Sequence, residues 1–531
     1  MTDDAVDAVD AVELEILRNQ LESVAEEMGE VLIRGAYSPN ITERRDCSTA
    51  LFDADGRLVA QAEHIPVHLG AMPRAVDAIR DRDPRPGDVF ALNDPFAGGT
   101  HLPDVTFVSP IGAGAGGRSR SGDRPTGDDD IVAYAVSRAH HADVGGMAPG
   151  SMPAGAREIQ QEGLRVPPVR IVADGTVVDD VLELVLANVR NPAQRRADVQ
   201  AQLAANERGA RRIGELLDDH GEGLLAAFDA VVDYSRARME RELSALEPGT
   251  YEAAGTIEGD GVTDTAVPIE ATVTVADGAV TVDFEGTAPQ VAGNVNAPLA
   301  VAESAVYYVI RCITDPEIPP NQGCYDPVTV EAPEGSLLNP TPPAAVVGGN
   351  VETSQRITEV VFDALAEAAP DRVPAESQGT MNNLVVGGPD FTYYETIGGG
   401  AGATPNRDGA SGVQVGMTNT RNTPVEALEA AYPLRVAEYS LRSDTGGSGR
   451  HRGGDGLVRE IVVETDATVS LLTDRRQTPP AGRAGGTDGT VGENFVDGEA
   501  VASKHTRAVE AGTTVRVETP GGGGYGDPDG A

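Results

Sequence analysis

Asn93-Asp94-Pro95-Phe96-Ala97-Gly98-Gly99-Thr100-His101-Leu102-Pro103-Asp104 opens the stretch that decides the fold, and Ser137-Arg138-Ala139-His140-His141-Ala142-Asp143-Val144-Gly145-Gly146 closes it. Three of the chain's 8 histidines lie here, each within three residues of an aspartate. Val105 to Ile111 and Ile131 to Ala139 are rich in β-branched and aromatic residues, as strands are. Between them GAGAGGRSRSGDRPTGDDD (112–130) is too polar to bury a core and reads as a floppy loop. Two strands joined by one loop most economically form an antiparallel hairpin, which sets the start of the first beside the end of the second. His101 and Asp104 fall at that start, and His140, His141 and Asp143 at that end.

Two imidazoles and a carboxylate suit a divalent cation such as Zn, Mn or Fe(II), with positions left open for water or substrate. His140 and His141 are adjacent, so extended backbone points them to opposite faces. One of them shares the ion with His101, and the other is left for acid/base work or packing.

The 531 residues allow two to four domains. No apolar run is long enough to span a bilayer, and the acidic N-terminus lacks a signal segment, so a cytoplasmic protein is expected. Cys47, Cys312 and Cys324 are odd in number and form no CxxC, which argues against a disulfide framework and a cysteine zinc site. The net charge is −42, from 83 acids against 41 bases, spread along the chain. Such a field repels nucleic acid and anionic membranes and reads as a salt-adapted surface. Lys504 is the single lysine, outside any GxxxxGK[ST] context, so neither a phosphate loop nor a pyridoxal phosphate lysine is expected. ATP, if used, is bound by another chain.

Residues 11–37 carry apolar positions at spacings of three and four, an amphipathic helix. Cys47 to Asp53 and Arg57 to Gln61 read as short strands. His64 and His68 stand four apart, but Pro66 argues against one helix face holding both; a pocket wall or helix entry is expected, with a helix from about Ala71. Glu158 and Glu162 are candidate carboxylates on a short helical turn. Residues 176–246 are helical in pattern. Tyr251 to Gly286 alternates apolar and polar residues around turns, giving three or four antiparallel strands. Pro298 to Cys312 reads as a buried helix, Asn339 to Pro343 as a linker, and Glu352 to Ala368 as another helix. Gly398 to Ala403 reads as a tight turn rather than a phosphate cradle. The expected fold class is α+β and multi-domain, with mixed sheets: residues 1–175 carry the metal hairpin, 176–247 are helical, 248–430 form a mixed β/α domain, and 431–531 are β-rich.

Several stretches resemble the hydantoinase B/oxoprolinase family: NDPFAGGTHLPD (93–104), SRAHHADVGGMAPGSMP (137–153), REIQQEGLRVPP (157–168), GNVNAPLAVAESAVYYVIRC (293–312), GNVETSQRITEVV (349–361), YPLRVAEYSLRSDTGGSGRHRGGDGLVRE (432–460) and TPGGGGYGDP (519–528). The resemblance spans nearly the whole chain and departs in the 112–130 insertion and the acidic surface. It implies a metal held by His101, Asp104 and His140. It also implies a partner of hydantoinase A type that binds ATP and phosphorylates the substrate, in a hetero-oligomer. The position of His141 differs in the acetone carboxylase branch, so His141 favours the hydantoinase/oxoprolinase branch.

The implied reaction is hydrolytic opening of a small cyclic amide, with His141 or Asp143 as general base or as a group orienting a ligand histidine. The alternatives are the α subunit of an ATP-dependent acetone-type carboxylase and a non-catalytic scaffold.

Overall fold

The computed structural model describes residues 11–63, 65–114, 130–388 and 390–528. Its N-terminal half is built on a seven-stranded sheet of β1 (Cys47–Asp53), β2 (Leu58–Glu63), β3 (Val89–Leu92), β4 (Asp104–Gly112), β5 (Ile131–His140), β6 (Val169–Ala173) and β7 (Thr176–Val177), in the order β2-β1-β5-β4-β3-β6-β7. The expected hairpin is its centre: β4 and β5 pair antiparallel, with Asp104 opposite His140 and Thr106 opposite Arg138. Most of the loop that joins them, residues 115–129, lies outside the described residues.

The centre of this sheet is buried on both faces, which is why β5 shows no alternation of buried and exposed residues. Helix α1 (Ala11–Gly35) and the long Pro192–His220 helix cover one face, burying Leu17, Leu21, Val24, Met28 and Leu32 against Ala133, Ala135 and Ala139. Tyr134 and Val136 face the opposite core, which runs continuously from Ala50 to Leu472. The boundary expected at 175/176 falls in the turn of the β6–β7 hairpin.

The second sheet consists of β8 (Gly249–Ile257), β9 (Val267–Ala276), β10 (Ala279–Asp283) and β11 (Val328–Glu331), in the order β11-β10-β9-β8. Its first three strands are antiparallel as expected, but β11 returns parallel to β10 after the Leu299–Ile313 helix. Residues 339–343 are not a free linker. Pro343 O accepts from Ile159 N (2.9 Å) and Thr341 N donates to Gln290 Oε1 (2.8 Å), tying this segment down on both sides.

A third sheet (Asn383–Gly387, Thr392–Thr396, Ala467–Leu472 and Lys504–Val509) and a five-stranded fourth sheet enclose a separate C-terminal core. Beside them, the glycine-rich segments pack backbone on backbone. A Cβ on Gly522 would lie 2.1 Å from Ala401 O, so no side chain fits there. Among the described residues, no helix is long and apolar enough to cross a membrane.

Candidate functional site

The β4–β5 register fixes the site. His140 ends β5 on the face shared with Arg138 and Val136, and Asp104 stands opposite it. The turn before β4 brings His101 over the pair, with Asp104 N donating to His101 O (3.1 Å). One donor atom from each of His101, Asp104 and His140 lies within 4.8 Å of the others, and all three side chains are buried. His140 Nδ1 is 3.1 Å from Asp104 Oδ1. His101 Nε2 is 3.0 Å from the same oxygen but is not aligned to hydrogen-bond to it, and neither ring nitrogen of His101 has a hydrogen-bond partner.

His140 and Asp104 hydrogen-bond to each other, but the two buried ring nitrogens of His101 do not, and buried polar atoms left so cost stability unless something else satisfies them. The set therefore fits a cation. Burial pushes the His101 imidazole below its ordinary pKa despite Asp104, keeping it in the neutral form a metal requires. Burial opposes ionisation of Asp104, but the imidazoles of His101, His140 and His68 gathered around it outweigh burial. The carboxyl is held well below its usual range.

The surrounding contacts hold this geometry. Asp104 Oδ2 accepts from Thr100 Oγ1 (2.9 Å) and faces His68 Nε2 (3.4 Å), and His68 Nδ1 in turn bonds Ser48 Oγ (2.9 Å). His68 arrives on the one-turn 3-10 helix Pro66–His68 that leads into helix Ala71–Arg80. His64 lies outside the described residues.

His140 stacks on Tyr394 (centroids 4.7 Å apart), which the Thr392–Thr396 strand brings from the C-terminal part of the chain. Tyr394 Oη donates to Asn383 Oδ1 (3.0 Å), and Asn383 Nδ2 donates to Glu352 Oε1 (3.0 Å). Glu352 sits in a π-helical turn, Gly349–Thr353, a distortion that recurs at functional sites. Its Oε2 has no partner, and burial pushes its carboxyl up to about 8.

His141 and Asp143 are placed elsewhere. Strand alternation turns His141 to the opposite face of the sheet, where Nε2 meets Gln202 Oε1 (2.8 Å), and burial lowers its pKa to about 4. Asp143 accepts from the backbone N–H groups of Gly145, Gly150 and Arg190 and pairs with the Arg190 guanidinium (3.0 Å), bracing the loop after β5. Glu158 caps the short helix Ile159–Glu162 in a capping box. Glu162 is fully buried and accepts from Val346 N and Val347 N. Cys47 is a buried thiol whose pKa burial raises, far from an activated nucleophile.

A relative with 40% identity over 98% of this chain is 5-oxoprolinase 1 of Arabidopsis thaliana, and the chain spans 42% of that protein's length. A putative D-/L-hydantoinase subunit of a Pseudomonas species is 31% identical over 98% of the chain and 90% of its own length. Among solved structures, the ATP-dependent caprolactamase from Pseudomonas jessenii superposes with a TM-score of 0.88 at 29% identity, covering 98% of this chain and 92% of that one. Nucleotide-free acetone carboxylase superposes at 0.84 with 19% identity over 97% and 76%, a likeness of fold alone. With the hydantoinase B/oxoprolinase family model matching residues 10–528 across all the sheets that build the site, the chain belongs to that family.

Proposed function

We propose that this chain is the metal-dependent component of an ATP-dependent cyclic amide hydrolase. It opens a hydantoin, 5-oxoproline or related lactam ring together with an ATP-binding partner of hydantoinase A type. The carrying observation is the buried convergence of His101, Asp104 and His140 with the unpartnered nitrogens of His101. Relatives named as a 5-oxoprolinase and as a putative D-/L-hydantoinase subunit, and the fold of an ATP-dependent caprolactamase, support the substrate class.

An unstrained ring amide is a poor electrophile, and phosphorylation of its carbonyl oxygen by the partner activates the carbon: water adds there, the C–N bond breaks as the ring nitrogen takes a proton, and a second water releases phosphate from the acyl phosphate that remains. A divalent cation held by His101, Asp104 and His140 supplies Lewis acidity toward substrate oxygen and lowers the pKa of water. The chain's own residues do the rest. Thr100 and His68 fix one oxygen of Asp104, so that the other stays between the two imidazoles. Tyr394 fixes the plane of His140. Glu352, still protonated near neutral pH, holds at its free Oε2 the proton that the departing ring nitrogen needs. His141 and Asp143, expected as acid/base residues, serve in this reading as the frame behind β5.

The test uses the chain co-purified with its ATP-binding partner, a panel of cyclic amides and a metal analysis. Wild type is expected to carry stoichiometric metal and to open a ring at the expense of ATP. Asp104→Ala should lose the metal and the ring opening while the partner still phosphorylates. Ring opening at the wild-type rate in that variant refutes the reading, and ATP use that depends on bicarbonate and a ketone assigns the chain to the carboxylase branch instead.

A further inference from the structure

A cavity of about 370 Å³, at the lower end of the size range of small-ligand sites, lies apart from the hairpin cluster. None of His101, Asp104, His140, His68, Tyr394 and Glu352 lines it. The Ser354–Leu365 helix, which continues from the π-helical turn of Glu352, forms one wall, and the Leu299–Ile313 helix brings Tyr308 and Cys312 to another. Tyr308, Phe362, Pro374 and Val415 give the cavity its apolar surface.

Its charges run against those of the chain. Acids outnumber bases 83 to 41 overall, yet the lining holds Arg372, Arg407 and Arg483 beside Glu359, Asp363 and Glu376. Each of these carboxylates is already paired. Asp363 meets Arg483, and Glu376 meets Arg475 (2.8 Å). Glu359 Oε2 accepts from Arg356 (2.5 Å) and Arg475 (2.5 Å), neither of which lines the cavity. Arg372 shares the partly exposed Glu242 (3.3 Å). Arg407 is exposed and has no carboxylate within 4.0 Å among the described residues. A cavity in a strongly acidic protein is thus left with an unneutralised guanidinium, whose planar fork suits a carboxylate.

The opposite deficit lies further in, where Glu359 is 7% exposed. Glu359 Oε1 and Gln414 Oε1, both on lining residues, are buried acceptors with no donor. Acceptors left so cost stability until an N–H group reaches them. A simple carboxylate answers the first need alone and an amine the second alone. A zwitterion answers both and adds no net charge.

We propose that this cavity is a second small-molecule site that takes a free amino acid, its carboxylate on Arg407, its ammonium group toward Glu359 and Gln414, and its side chain against Tyr308 and Phe362. The site needs neither the cation nor the ring-opening reading.

Isothermal calorimetry of the full chain with glycine, L-leucine and L-glutamate tests it, with propionate and propylamine as probes that carry one charged end each. Cys312 supplies a local readout, since it is exposed and lines the cavity while Cys47 and Cys324 are buried. At least one amino acid should bind saturably, at least about tenfold more tightly than either single-ended probe, and should slow alkylation of Cys312 by iodoacetamide over the same concentration range. Arg407→Met removes the carboxylate's partner at an exposed position and should weaken binding of that amino acid at least about tenfold. Failure of all three amino acids to bind, binding that leaves Cys312 unprotected, single-ended probes that bind as tightly, or full affinity in Arg407→Met overturns the inference. Each of these results leaves the metal analysis and the ring-opening assay to judge the proposed function separately.

Discussion

Replacing Glu162 with glutamine should change how stability depends on pH in a way that burial alone dictates. Glu162 is fully buried, and its oxygens accept from Val346 N at 3.0 and 3.1 Å and from Val347 N at 3.0 Å. Burial outweighs these two donors and raises the carboxyl from 4.5 to about 8. The sign follows directly. Between these values the folded chain keeps a proton that the unfolded chain has lost, so the folded state loses stability as pH rises through this window and levels off above it. At about 1.4 kcal/mol per unit, the loss is roughly 3 kcal/mol near neutral pH and roughly 5 kcal/mol above pH 8.

A glutamine side chain cannot ionise. At this position it keeps one oxygen for Val346 and Val347 but turns an amide N–H₂ toward the second position, at a cost of about 1 kcal/mol. Glu162→Gln should therefore be slightly less stable than wild type near pH 5 and more stable by a few kcal/mol near pH 8. Urea midpoints measured across that range at fixed high salt read the difference, provided both chains unfold with the same slope. Parallel midpoint curves for the two chains would refute a buried, protonated Glu162. The effect bears on function because Val346 and Val347 lead directly into the π-helical turn that holds Glu352.

Two further outcomes follow, one at the site and one in the C-terminal packing. His68→Ala removes the imidazole that faces Asp104 Oδ2 and bonds Ser48, and should weaken metal binding roughly 10- to 100-fold in a chelator competition without changing the fold; unchanged affinity would make His68 a packing residue. Gly522→Ala places a Cβ 2.1 Å from Ala401 O in the glycine-rich C-terminal packing, and should cost upward of about 3 kcal/mol or abolish soluble protein, whereas Gly498→Ala, with no atom within 4 Å, should cost only the strain of its positive φ.

The centre of the site is legible in the sequence because it rests on a period and a register. Strand alternation separates His140 from His141, and a hairpin closed by one loop must bring Asp104 beside His140. The helix-entry position of His68 is legible, because Pro66 argues against a helix interior, but its contact with Asp104 is not: the one-turn 3-10 helix that delivers it leaves no periodic signal in three residues. Residues 339–343 read as a linker because prolines lack an N–H. Their carbonyls, however, remain acceptors, and Pro343 O pairs with Ile159 N.

Tyr394 and Glu352 are beyond any local rule. Tyr394 arrives on a strand of the third sheet and Glu352 on a helical turn. They meet because the third sheet docks on the end of the β4–β5 hairpin. Spacing along a strand can place the ligands of an ion, since these share one hairpin. The groups that surround the hairpin cluster come from separate layers, so their identity is decided by how the layers pack. Under the ring-opening reading, a chain sharing the His101–Asp104–His140 hairpin but differing at 352 and 394 should keep stoichiometric metal on analysis and open a different ring in the cyclic-amide panel.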